Sequence, residues 1–128
     1  METEIKQTAS LTIYGRLTGL NEHIKSINAN RYEGNKLKQK NEALIMGYIM
    51  EQLQGVSFNG TVHITYKWYE KNMRRDLDNI AFAKKYIQDA LVKSGVLAND
   101  GWKFINGFTD EFYIDKDNPR VEVIIREV

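Results

Sequence analysis

The sequence has no cysteine. That excludes a disulfide framework and any thiolate metal centre. It has two histidines, His23 in a polar stretch and His63 in a strand pattern, and they support neither a His-rich metal site nor a Ser-His-Asp set. No apolar run reaches the roughly 18 residues of a membrane span, and no charged-then-apolar leader opens the chain. No G-x-x-x-x-G-K-[ST] loop occurs, which argues against nucleotide-driven work. The single proline, Pro119, lies in Asp117-Asn118-Pro119, which reads as a turn. These absences leave the expectation of a soluble, cytoplasmic protein with no membrane partner and no nucleotide cofactor.

What is present looks ordinary in bulk. A chain of 128 residues suits one domain, residues 1–128, with a core of its own. A hydrophobic share of 42% argues against wholesale disorder. The net charge of +1 hides a split: residues 1–75 hold 11 Lys/Arg against 7 Asp/Glu, and residues 76–128 hold 7 against 10. A basic half beside an acidic half suits a protein that grips phosphates and holds cations. Chance placement of surface charge gives the same totals.

The pattern predicts an α+β domain in the order β-α-β-α-β-β, a small mixed sheet with helices packed on one face. Residues 1–8 are polar and read as frayed. Leu11 to Leu17 reads as a strand. Asn21 to Lys40 reads as a long loop, partly helical at either end, carrying Arg31, Lys36, Lys38 and Lys40 against Glu33. Asn41 to Gln54 repeats apolar residues at helical spacing and stops at Gly55. Gly60 to Tyr69 is the clearest strand, with Val62, Ile64, Tyr66 and Trp68 alternating against Thr61, His63, Thr65 and Lys67. Ile80 to Ser94 reads as a helix capped by Asp78 or Asn79, with Gly95 beyond its end. Phe108 to Ile114 and Arg120 to Glu127 read as two strands joined by the Asp117-Asn118-Pro119 turn. Trp68, Tyr69 and Trp102 offer rings for base stacking, but the two tryptophans read rather as core or interface residues.

The stretch richest in chemistry is Arg74-Arg75-Asp76-Leu77-Asp78-Asn79. Two arginines can grip phosphates. On an extended chain Asp76 and Asp78 point the same way, about 6–7 Å apart at Cα, and their oxygens suit a hard divalent cation such as Mg²⁺. Alternatively, one aspartate caps the next helix and the other is solvated. Asp100 lies past that helix, about 22 Å of rise away. It returns to Asp76 only if residues 96–99 run back along the sheet or another part of the fold joins them; otherwise it marks an ordinary turn. Lys85 stands seven residues after Asp78, nearly two helical turns, on the same face; Lys84 falls nearer the Ile80 side. Either is a snorkelling surface lysine in the plainer reading.

These residues resemble the RusA-type Holliday junction resolvases, which carry R-D-L-D-N, a helix lysine, D-A-L, A-G-V and a downstream aspartate. Here the series reads Arg75-Asp76-Leu77-Asp78-Asn79, Lys85, Asp89-Ala90-Leu91, Ser94-Gly95-Val96 and Asp100. The resemblance implies that Asp76, Asp78 and Asp100 bind Mg²⁺, with Mn²⁺ as a substitute, and that Lys85 acts in catalysis. It also implies a homodimer that cuts four-way DNA junctions by paired nicks. The chain departs from the pattern by about three extra residues between Asp78 and Asp89. If they fall after the lysine position, Phe82 stands there instead of Lys85. On this reading Arg31, Lys36, Lys38, Lys40, Arg74 and Arg75 contact DNA. The alternatives are a non-catalytic nucleic-acid-binding module of the same fold and an accessory protein with an acidic partner-binding patch.

Overall fold

The computed structural model describes residues 6–128. Most of the stretch expected to fray, residues 1–5, lies outside the described residues, and Thr8 already opens a strand. The fold is α+β with one mixed four-stranded sheet, in chain order β1 (Thr8–Tyr14), α1 (Leu20–Ala29), α2 (Arg31–Gln52), β2 (Val62–Glu70), α3 (Leu77–Ala81), α4 (Lys84–Lys93), β3 (Ile105–Ile114) and β4 (Arg120–Glu127). Among the described residues no helix is long and apolar enough to cross a membrane.

The alternation in β2 sets the core. Val62, Ile64, Tyr66 and Trp68 are buried and face the helices with Leu11, Ile13, Val121, Val123 and Ile125 from the neighbouring strands. Ile45, Ile49 and Leu53 of the α2 end and Ile87, Ala90 and Leu91 of α4 cover them. Each fully buried Ile or Leu contributes roughly 1.5–3 kcal/mol. The alternate residues of β2, such as His63, Thr65 and Lys67, are less buried. The helices thus pack on one face, as the pattern predicts. Gly95 ends α4 at φ +84°, a conformation that suits glycine.

Three elements differ from the sequence expectation. The long loop over residues 21–40 is a helical hairpin, α1 and the first half of α2. Asn30 breaks it and accepts a hydrogen bond from the Glu33 N–H at 2.8 Å, an N-cap for α2. The helices meet where a Cβ on Gly34 would lie 3.3 Å from Ile27 Cγ1. None of α1 is buried, and the first buried residue of α2 is Asn41. The stretch is polar because it is surrounded by solvent, not because it is irregular.

The helix expected over residues 80–94 starts earlier, at Leu77 with Asp76 as N-cap, and breaks at Phe82–Ala83. There the N–H groups of Ala83 and Lys85 bond to the carbonyls of Ile80 and Phe82, an i to i+3 pattern that tightens one turn.

The third difference is topological. The sheet order is β1-β4-β2-β3, with β2 parallel to β3 and antiparallel to β4. The turn at residues 117–119 therefore does not close a hairpin. It carries the chain past the end of β2, where the Asp115 N–H bonds to Glu70 O and the Gly15 N–H to Pro119 O. The α3–α4 crossover makes β2 and β3 parallel and leaves β3 at the edge, so β4 must pair on the other side of β2.

Candidate active site

The Arg74–Asn79 segment leaves the end of β2 and enters α3. Glu70 closes the inward-facing row of β2 and is buried. Its carboxylate is met by Arg75, which donates from Nε to Oε1 at 3.0 Å and from Nη2 to Oε2 at 3.0 Å. Arg75 Nη1 donates to Leu17 O at 3.2 Å, and Arg16 Nε stands 3.5 Å from Glu70 Oε1. Asn79 Oδ1 accepts from the Asn21 N–H at 2.9 Å, holding the start of α1. Gly19 is pressed between these two side chains: a Cβ there would lie 2.6 Å from Asn79 Oδ1 and 2.8 Å from Arg75 Nη1. Arg75 and Asn79 therefore clasp the segment to the β1–α1 connection.

The other residues of the segment face outward. Arg74, Asp76, Leu77 and Asp78 are exposed. Asp76 makes no side-chain cap hydrogen bond, and Asp78 Oδ1 accepts only from the adjacent Asn79 N–H. The two aspartates lie at the N-cap and in the first turn of α3 rather than on an extended chain. Helix geometry still sets their Cα atoms about 5–6 Å apart. Both carboxylates face solvent and keep oxygen atoms available, the donor type a hard divalent cation takes.

Asp100 does not join them within one chain. Leu97 bridges to Phe58, and Phe104 O accepts from the Val62 N–H at 2.9 Å, so residues 97–104 stay at the start of β2. Asp76 and Asp78 follow its end. The nine residues of β2 separate the two groups by about 26 Å. Among the described residues no three His, Cys, Asp or Glu side chains come together to hold a metal ion. Asp100 sits in a turn braced by Asn99 Oδ1, which accepts from the N–H groups of Asp100 and Gly101.

The two lysines differ sharply. Lys84 Nζ lies 2.5 Å from Asp110 Oδ2 and over the rings of Tyr66 and Phe108. Trp68 Nε1 donates to the other Asp110 oxygen at 2.9 Å, so Lys84 serves the fold. Lys85 is solvent-exposed, 4.0 Å from Asp89 Oδ2. Phe82 packs on His23 and Tyr86, with ring centroids 4.7 and 5.6 Å away. The break at Phe82–Ala83 falls just ahead of Lys84 and Lys85.

Lys85 also acts on His23. Burial, then the charges of Lys85 and Lys38, hold the His23 pKa below its ordinary value. Burial pushes the Tyr86 hydroxyl up to about 12, and that hydroxyl pairs with His23 Nδ1 at 2.7 Å.

The remaining basic candidates lie on α2. Arg31 and Lys38, seven residues apart, share one side, while Lys36 and Lys40, four apart, share another. Lys38 reaches Glu42 at 3.9 Å, and Lys40 lines a cleft with Arg16 and Arg75. Sequence reading missed Glu70. A signal existed: it occupies the next inward position after Trp68 in the β2 alternation, where a carboxylate requires a cation.

Fold and site define a small α+β domain with an exposed carboxylate pair next to an exposed arginine, Arg74, residue types suited to phosphate chemistry. The family described as Endodeoxyribonuclease RusA matches residues 18–126, and the chain belongs to that family, one of nucleases acting on branched DNA. No curated protein matches the chain.

Proposed function

We propose that this protein resolves four-way DNA junctions by paired nicks, using Mg²⁺ or Mn²⁺. The observation that carries this reading is the outward-facing pair Asp76 and Asp78, held by inward-facing Arg75 and Asn79 in a chain of an endodeoxyribonuclease family. Their oxygen donors fit a hard cation. Such a cation, when bound, polarises the scissile phosphate and lowers the pKa of the attacking water. Lys85 offsets charge on the phosphate, and Arg74 with the α2 cations holds the flanking backbone. Arg75, committed to Glu70 and Leu17, positions the segment and leaves phosphate contact to Arg74.

A homodimer reconciles the distant Asp100 with the pair. β3 is a ten-residue edge strand, and Phe108, Tyr113 and Ile114 along it are exposed. Trp102 at its start is 97% exposed and Met73 near its end 87%. Long apolar edges are normally covered. Antiparallel pairing of two β3 edges about a two-fold axis sets the start of one strand beside the end of the other. Asp100 then approaches the partner's Asp76 and Asp78, which makes two composite sites for a two-fold junction.

The test is a labelled four-way junction and a linear duplex, each with and without Mg²⁺, alongside Asp76→Asn. Symmetric Mg²⁺-dependent nicks that the variant loses support the resolvase. The separation of Asp100 within one chain favours a second reading, a binding module without turnover; junction binding with no cutting selects it.

A further inference from the structure

Outside the carboxylate pair, a cleft of about 620 Å³ lies between the β1–α1 connection and α2. Sites for small ligands commonly span roughly 300–1,000 Å³, which admits one nucleotide. We infer that this cleft receives a single unstacked nucleotide of the DNA strand passing Asp76 and Asp78, with its phosphate on Arg16 and Lys40 and its base against Ala43 and Leu44. The inference rests on the nuclease reading above.

Four observations support it. First, the cleft adjoins the carboxylates: Arg75 lines both it and the neighbouring hollow that contains Asp76. Second, its cations have donors to offer. Lys40 has no hydrogen-bond or ion-pair partner among the described residues. Arg16 meets Glu70 through Nε, with its side chain 33% exposed, so its two Nη groups remain for a phosphate. Glu22 stands at the rim and is countered by Arg75 at 3.9 Å.

Third, the floor is rigid. Asn41 is buried, donates from Nδ2 to Thr18 Oγ1 at 2.8 Å and to Leu37 O at 2.9 Å, and accepts from the Thr18 N–H at 3.2 Å. These bonds fix α2 to the β1–α1 connection, so the cleft is formed before any ligand arrives. Fourth, Leu17, Ala43 and Leu44 give the wall an apolar surface beside the cations, and Leu44 is exposed. A phosphate, a sugar and a base together present that mixture. Unstacking costs least where stacking is already interrupted, as at a branch point, so the cleft favours branched over linear DNA.

The experiment uses four-way junctions carrying 2-aminopurine at single positions flanking the branch, with Ca²⁺ replacing Mg²⁺ to keep the complex uncut. No aromatic ring lines the cleft, so an unstacked probe fluoresces there. Wild type raises fluorescence several-fold at one position. Ala43→Trp, an exposed position whose new ring fills the cleft, abolishes the rise and weakens junction binding about tenfold while the melting temperature holds. Arg16→Gln/Lys40→Gln flattens the salt dependence by up to about 1.8 in log–log slope. Wild type that binds and cuts the junction with no fluorescence change, or a rise that Ala43→Trp retains, overturns the subsite and leaves the nuclease reading standing. Unchanged salt dependence in the double variant overturns the phosphate assignment. Wild type that neither binds nor cuts the junction overturns both.

Discussion

Arg75 and Asn79 direct their polar atoms into the fold, while Asp76 and Asp78 between them face water. Substitution should separate the two pairs. Asp76→Asn removes a carboxylate that makes no cap hydrogen bond, so melting should shift by no more than about 0.5 kcal/mol in stability, while Mg²⁺-dependent nicking falls about a hundredfold or more. Arg75→Met leaves Glu70, 7% exposed, with Arg16 as its remaining cation. It should cost about 3 kcal/mol in urea unfolding. The motif made all four positions legible as important; which of them face inward was not, because Leu17, Gly19 and Asn21, which Arg75 and Asn79 meet, lie far from them in sequence. His23 adds a pH dependence. Its folded pKa is lowered by burial and by Lys85 and Lys38, so the unfolded chain binds the proton more readily. Stability is complete above the unfolded pKa of about 6.5 and falls as pH drops below it. Urea midpoints at pH 7.5 and 5.5 should fall further in wild type than in His23→Gln; equal falls would remove His23 as the cause.

At the scale of elements, α1 and the first half of α2 show why polar helices escape a pattern reading. Hydrophobic periodicity reports a face in contact with a core, and none of α1 is buried. β2 was legible for the opposite reason: its alternating face is completely covered. The hairpin orders the cations of α2 along two ridges, with Lys36 and Lys40 on one and Arg31 and Lys38 on the other. Lys38 is tied to Glu42, whereas Lys36 is exposed. Lys36→Gln should therefore lower the log–log salt slope of junction binding by about 0.9, and Lys38→Gln by less. Binding titrations from low to moderate salt measure this, and equal changes would argue against the difference between the ridges. At the β1–α1 connection, Gly19→Ala places a methyl group 2.6 Å from Asn79 Oδ1 and should cost about 1–3 kcal/mol.

At the scale of the molecule, the position of Asp100 was the part least available from sequence. A helix of known length fixes how far the chain travels, but the strand order decides whether it comes back. Here the parallel β2–β3 pair places the start of β3 one strand length from Asp76. If all three carboxylates serve one metal, as proposed above, a second copy has to supply Asp100. The proposed dimer also covers the exposed side chains of the β3 edge, so Trp102→Glu should yield monomers in sedimentation and lose nicking while keeping its helical circular dichroism.

Mixing two inactive variants, Asp76→Asn and Asp100→Asn, tests the composite site most directly. In a mixed dimer one site carries both substitutions and the other carries neither. Each variant alone should be inert, and the mixture should recover Mg²⁺-dependent single nicks in a four-way junction. A mixture that stays inert while wild type cuts would contradict the composite site, because sites complete within each chain would then each hold one damaged carboxylate.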